Sequence, residues 1–275
     1  MAAYQAGDHL VATSCGSVIG FVGTQRREVK GEEDPRGEVM LLVVNSAFRR
    51  RGVGRHLLGR AEAHLRENGV KIAQLCSGGS SYFWPGAPVS LPDAWEFFHA
   101  CGWEEDERSY DLVCNLKQYV SPDSVFDCIQ ESGVTVATSS HDTIESLRRL
   151  LDEHFPAWAD SYAALIEEDD LASILVAVSE TGEVVGFSSA EPPSEIRPSC
   201  HWASLKRTTG VIGALGVHPE WRERGIGLAI AARVMEVLRD QGAENCFIGW
   251  TWLVDWYGKL GSVVWETYVM SRKNL

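Results

Sequence analysis

Hydrophobic and polar positions along this chain follow one pattern, and they follow it twice. An apolar run of strand length comes first, at 39–44 in one copy and 213–217 in the other. Runs this short, bounded by turn residues, predict buried strands. A polar turn with arginines and glycines follows each. Apolar residues then recur at helical spacing: Leu57, Leu58, Ala61 and Leu65 within 55–68, and Ala231, Val234, Met235 and Leu238 within 228–241. Asn68-Gly69 and Gln241-Gly242 end these helices, since glycine tolerates the left-handed backbone just past a helix. A short strand is predicted next, at 71–76 and at 245–250. An aromatic helix follows, with Trp95, Phe97 and Phe98 before Gly102, and Trp256 and Tyr257 before Gly261. A last strand, 109–116 or 264–270, is expected to close each copy.

Two strands precede each apolar run, 10–13 and 17–22 in the first copy, 173–178 and 183–189 in the second. Only the second copy has a further strand at 134–138 and helices between 141 and 168. The first has almost no chain to supply them and reads as N-terminally truncated. Repeats this long make two domains rather than a solenoid. The expected organisation is an incomplete domain at 1–118, a linker at 119–132 marked by the turn Ser121-Pro122-Asp123, and a complete domain at 133–275. The expected fold class is α/β, two mixed sheets each flanked by helices.

Composition narrows the partners. The formal net charge is −13, which repels a phosphate backbone and tolerates a cationic amine, so a small-molecule amine is expected and nucleic acid is not. No apolar stretch approaches the roughly 20 residues of a membrane helix, and residues 1–10 carry no cationic patch before an apolar run. The seven cysteines include no CxxC pair, and Cys114 and Cys246 lie in apolar runs. They read as buried thiols of a reducing compartment, so the expected location is the cytosol, with no membrane partner. No His/Cys cluster has ligand spacing, and no metal is expected. A homodimer is left open.

The turns carry the chemistry. They read Arg49-Arg50-Arg51-Gly52-Val53-Gly54 and Arg222-Glu223-Arg224-Gly225-Ile226-Gly227. A strand, a basic glycine-containing loop and a helix start together make an anion site. Unpaired N–H groups at the helix start face the ligand, glycines let backbone approach it, and arginines add charge. The turn is not a Walker loop, lacking Gly-Lys-Ser/Thr, nor a Rossmann fingerprint, holding two glycines of the three.

On these motifs both copies resemble the GNAT superfamily of acyl-CoA N-acyltransferases, whose signature is Gln/Arg-x-x-Gly-x-Gly/Ala after the fourth strand. The resemblance covers 134–270 in the second copy and about 10–116 in the first. The tandem layout is similar to mycothiol-synthase-like proteins and to glucosamine acetyltransferases, where a stretch like Tyr82-Phe83-Trp84-Pro85-Gly86 recurs. It implies acetyl transfer from acetyl-CoA, as co-substrate, to a primary amine, with glucosamine the acceptor most suggested. Amides of Arg222, Glu223, Arg224, Gly225, Ile226, Gly227 and Leu228 would hold the pyrophosphate. The splayed strand at Leu215, Gly216 and Val217 would bond the pantetheine arm and polarise the carbonyl. Arg49, Arg51, Gly52 and Gly54 are the corresponding groups of the first copy.

Tyr257, four residues before Gly261, stands where many relatives carry the tyrosine that protonates the departing thiolate. The first copy has Phe98 there, so catalysis is expected in the second. Trp250 replaces an asparagine common in relatives, and Ser262 an aromatic. Asp255 reads either as an acid that attracts an ammonium or as a helix N-terminal acid favoured by the dipole. Trp252, with Trp250 and Trp256, reads either as core or as a stacking face for a sugar, and Trp84 is a further candidate acceptor contact. Two rival readings stay open: a non-catalytic acetyl-CoA or amino-sugar sensor, and mycothiol-synthase-like chemistry on a cysteinyl sugar.

Overall fold

The computed structural model describes residues 9–28, 33–75, 84–193 and 208–275. The described residues form two units whose division does not follow chain order. Unit 1 is drawn from 1–110 and 266–275, unit 2 from 111–196 and 204–265.

Unit 1 opens with three antiparallel strands, β1 (His9–Ser14), β2 (Ser17–Arg27) and β3 (Arg36–Val44). Helix α1 (Val53–Glu67) leads to β4 (Ile72–Leu75), which lies parallel to β3. Next come β5 (Ala87–Pro88), α2 (Pro92–His99) and β6 (Glu104–Asn115), whose residues belong to unit 1 only as far as Tyr110. The apolar stripe of α1 packs as its spacing requires: Leu57, Leu58, Ala61 and Leu65 are buried with Val22, Val39 and Trp103.

Unit 2 comprises α3 (Asp123–Gln130), β7 (Val134–Thr138), α4 (Ile144–His154), α5 (Pro156–Glu167), β8 (Ile174–Ser179), β9 (Val184–Glu191), β10 (Thr209–Ile212), β11 (Gly216–Val217), α6 (Ile226–Asp240), β12 (Asn245–Thr251), α7 (Val254–Gly258) and the start of β13 (Val263–Asn274). Its strands run in the order β12, β10, β9, β8, β7, antiparallel except for the parallel pair β10 and β12. β9 is buried at seven of its eight positions, as expected where both sheet faces are covered. From α4 and α5, Leu147, Leu150, Leu151, Tyr162 and Leu165 pack with Val176 and Phe187.

The closing strands depart from the sequence reading. Residues 266–274 of β13 pair not within unit 2 but with β4, in register Arg272↔Gln74, and with β5, in register Tyr268↔Pro88. Lys273 Nζ donates to both Glu62 carboxylate oxygens at 2.9 Å, and Trp103 Nε1 donates to the same carboxylate at 2.9 Å. The buried acid of α1 is thereby paired by the C-terminal strand of the chain, which offsets the cost of desolvating it. Conversely, residues 111–115 of β6 belong to unit 2. Two smaller differences follow. The stretch read as a linker, 119–132, contains α3, with Pro122 as its N-cap residue. Cys114 and Cys246 are buried as expected, but Cys15 is exposed, because it forms the hairpin turn between β1 and β2 with Gly16.

Candidate active site

In unit 2, β10 pairs with β12 only as far as Ile212↔Ile248. The strand breaks at 213–215 and resumes as β11, bonded to β9 through Gly216↔Phe187 and Val217↔Gly186. Leu215 falls in the break; Gly216 and Val217 form the resumed strand. Past Ile212 the sheet therefore opens on the β12 side, and a backbone edge is presented there that a ligand amide can pair with.

The loop that follows is braced by its own side chains. His218 Nδ1 accepts from the Glu220 amide at 3.2 Å, which starts the 3₁₀ turn Pro219–Trp221. Arg222 Nε donates to the Val217 carbonyl at 3.1 Å. Glu223 takes φ +64°, and Gly225, the N-cap of α6, takes φ +78°. A β-branched residue at Gly225 would be strained there. Arg224 donates to the Glu220 carbonyl at 3.1 Å, its guanidinium 4.9 Å from the Trp221 ring. No side chain caps α6, a helix of 15 residues, so its first amides face outward from an arginine-rich loop.

The first turn of α6 is where the expected groups converge. A Cβ on Gly227 would lie 3.3 Å from the Trp256 ring, 3.4 Å from Val217 and 3.6 Å from Leu215. Loop, open strand and α7 meet at this glycine. Ile226 is buried, and Leu228 half-buried. Tyr257 is buried, with its ring edge-on to Trp256 at 4.6 Å. Burial, and next to it the Cys246 thiol, push the Tyr257 phenol above its ordinary pKa. The hydroxyl thus keeps its proton across the working range. It gives that proton up less readily than a free phenol, which suits it to hydrogen bonding a departing sulfur. Asp255 and Trp252 are exposed.

Unit 1 repeats this construction. Among the described residues β3 pairs with β4 from Gly37↔Ala73 to Val39↔Leu75, and it continues on β2 as far as Val44↔Gly20. Asn45 Oδ1 accepts from the Ala47 amide at 3.0 Å, and Arg49 Nε donates to the Val44 carbonyl at 3.0 Å. Arg50 takes φ +59° and Gly52, the N-cap of α1, takes φ +85°. The Arg51 guanidinium lies 5.6 Å from the Phe48 ring, and a Cβ on Gly54 would lie 3.4 Å from Phe97. A cavity of about 650 Å³ opens here, lined by β3, Arg49, Gly52, Gly54, Phe97 and Phe98. Trp84 also lines it, and its indole N–H donates to the Met40 carbonyl at 2.6 Å. Trp84 thus belongs to unit 1, whereas Trp252 and Asp255 belong to unit 2. Tyr82 and Phe83 lie outside the described residues.

Two features escaped the sequence reading. An aromatic wall stands against the open strand of unit 2: a Cβ on Gly216 would lie 2.9 Å from the Phe155 ring and 2.7 Å from Phe187. Phe155 stacks on Trp158 at 5.4 Å, and Tyr162 donates to the Ala214 carbonyl, inside the strand break, at 2.6 Å. The helical spacing of 155, 158 and 162 was the available signal, but it marks core equally well. The second is Asp111, fully buried, whose carboxylate accepts from the Trp250 amide at 2.8 Å and holds Trp250 at φ +48°.

An opened strand pair above an uncapped, glycine-started helix is an arrangement that can hold an anionic, amide-bearing ligand. The chain belongs to the acetyltransferase (GNAT) family, whose model matches residues 1–79 and 144–261, more than half its length. It is similar to the glucosamine N-acetyltransferase region of a fungal multi-domain GH3 β-N-acetylglucosaminidase, at 28% identity and a TM-score of 0.87, covering 96% of this chain and 33% of that one. This chain thus spans about a third of that protein. A tandem GNAT protein of the clavulanic acid biosynthesis pathway shares the fold at 18% identity and a TM-score of 0.65, covering 98% and 85%. A GNAT from Sphaerobacter thermophilus does so at 20% and 0.67, covering 94% and 78%. No curated protein sequence gives a match.

Proposed function

We propose that the chain transfers the acetyl group of acetyl-CoA to the amine of an amino sugar such as glucosamine, with catalysis in unit 2. The observation that carries this reading is the convergence of the open strand and Trp256 on Gly227 in the first turn of α6, with Tyr257 packed edge-on against Trp256. The amides at the start of α6, with Arg222 and Arg224, bind the pyrophosphate. The free edge at 215–217 pairs with the pantetheine arm and donates to the thioester oxygen as negative charge develops there. Tyr257 hydrogen bonds the sulfur as it leaves. Asp255 and Trp252, both exposed, meet the acceptor: the carboxylate attracts an ammonium and the indole stacks on a ring. The amino-sugar choice draws on the likeness to the fungal glucosamine N-acetyltransferase region and on the net charge of −13. Unit 1 binds acetyl-CoA or CoA without turnover, since Phe98 offers no hydroxyl. The buried thiols Cys114 and Cys246 suit a reducing, cytosolic setting.

The test follows free thiol while glucosamine, a short polyamine and a lysine peptide compete as acceptors. The expected result is a specificity constant for glucosamine at least about tenfold above the others, a difference of about 1.4 kcal/mol. Preference for the polyamine or the peptide would discard the sugar. Tight acetyl-CoA binding without turnover on any amine would favour a sensor.

A further inference from the structure

A histidine pair stands beside the open strand of unit 2. His154 is the last residue of α4, and His218 directly follows β11. Their rings are 4.5 Å apart and nearly perpendicular, at 81°. Phe155, next in the chain, packs on Gly216. The end of α4 therefore lies along 216–218, overlapping the edge at 215–217 that is proposed to hold the thioester.

The two histidines do different things. His218 Nδ1 accepts the Glu220 amide proton, so its neutral ring carries its own proton on Nε2. That work shapes the loop and needs no imidazole, because Asn45 performs it in unit 1. His154 has no such duty. Its side chain is 29% exposed, enough to exchange a proton with solvent. Glu153, with a carboxylate oxygen 3.9 Å from Nε2, pairs with the ring when it is protonated. The other groups against the ring are His218 and the apolar Phe155, 6.5 Å away. Among the described residues unit 1 has no counterpart of α4, so the unit that lacks the phenol lacks this imidazole too.

We propose that His154 accepts the proton of the attacking amine, an inference that rests on the acetyltransferase reading above. The amine nitrogen attacks the thioester carbon, the C–N bond forms, and one proton passes from nitrogen to an imidazole nitrogen of His154. The C–S bond breaks and sulfur leaves with its electron pair, hydrogen bonded to Tyr257, taking one proton from solvent. His154 returns its own proton to solvent, so amine and thioester become amide and thiol with nothing left over. Histidine suits the task because it changes charge in the neutral range.

The experiment measures thiol release with glucosamine across pH for the wild type, His154→Gln and His218→Asn, with acetyl-CoA affinity and thermal melting alongside. For His154→Gln, kcat should fall about 10²-fold, the acidic limb of the wild-type rate profile should disappear, and acetyl-CoA affinity should stay within about twofold. His218→Asn, matching Asn45, should keep that limb. If His154→Gln melts early, His154→Asn repeats the measurement with less bulk. An active wild type whose folded His154 variants keep both turnover and the acidic limb overturns the assignment alone. A wild type that releases no thiol with any amine overturns the acetyltransferase reading and this assignment together.

Discussion

The two units carry the same loop between the same strand and helix, and differ in the side chains and helices brought up to it. Asn45 and His218 cap the same turn, Arg49 and Arg222 donate to the same strand-end carbonyl, and Gly52 and Gly225 take the same left-handed backbone. Beyond the loop they diverge. Unit 1 places Phe98 in its aromatic helix and leaves a cavity of about 650 Å³. Unit 2 places Tyr257 there and lays Phe155 and Tyr162 against its open strand. On the proposed function, anion binding is thus a local device of one loop, whereas the proposed chemistry is not local: it draws on a phenol from a later helix and a side chain from α4.

The largest effect should come from removing what each unit takes from the other end of the chain. A chain ending at Trp265 lacks Tyr268 and Val269, both buried, and Lys273, the partner of Glu62. Each buried apolar side chain contributes about 1.5–3 kcal/mol, and Glu62 loses its counter-ion and keeps only the Trp103 indole as a donor among the described residues. Together these approach the whole stability of a small domain. Hydrogen exchange should show β4 and α1 unprotected in the truncated chain while α6 stays protected. Protection of α1 at the wild-type level would mean that unit 1 does not depend on β13.

A smaller effect is expected at the phenol. Tyr257→Phe removes one hydroxyl from a buried ring and should lower kcat about 10- to 100-fold with little change in acetyl-CoA affinity. Phe98→Tyr, the reciprocal change, should add no activity, because unit 1 has no counterpart of α4 among its described residues. Full activity in Tyr257→Phe would return that residue to a packing role.

Much of this was legible in the sequence, and the reason is local. A glycine at positive φ, a basic turn and a helical stripe each leave their mark within a few residues, so the loops, the strands before them and the helices after them could be placed. The closing strands, each expected to complete its own copy, divide differently, because 109–116 and 264–270 have the pattern and length to complete either sheet. Register with β4, and the pairing of Lys273 with Glu62, decide the matter across some 200 positions. The aromatic wall was hidden for a similar reason: Phe155, Trp158 and Tyr162 stand at helical spacing, and only the fold sets Phe155 against Gly216 and the Tyr162 hydroxyl on the Ala214 carbonyl. Arg222 was read as a phosphate ligand, yet its Nε also braces Val217, a task no spacing rule reveals.

The account rests on turnover belonging to unit 2, and one paired measurement tests that most directly. Valine at either left-handed glycine should strain its loop by about 1–3 kcal/mol, roughly 5- to 150-fold if the whole cost falls on ligand binding. Gly225→Val should therefore lower the specificity constant for acetyl-CoA within that range, and Gly52→Val should leave it within about threefold of wild type. Loss of turnover in Gly52→Val, with Gly225→Val unaffected, would contradict the account and move the active site to unit 1.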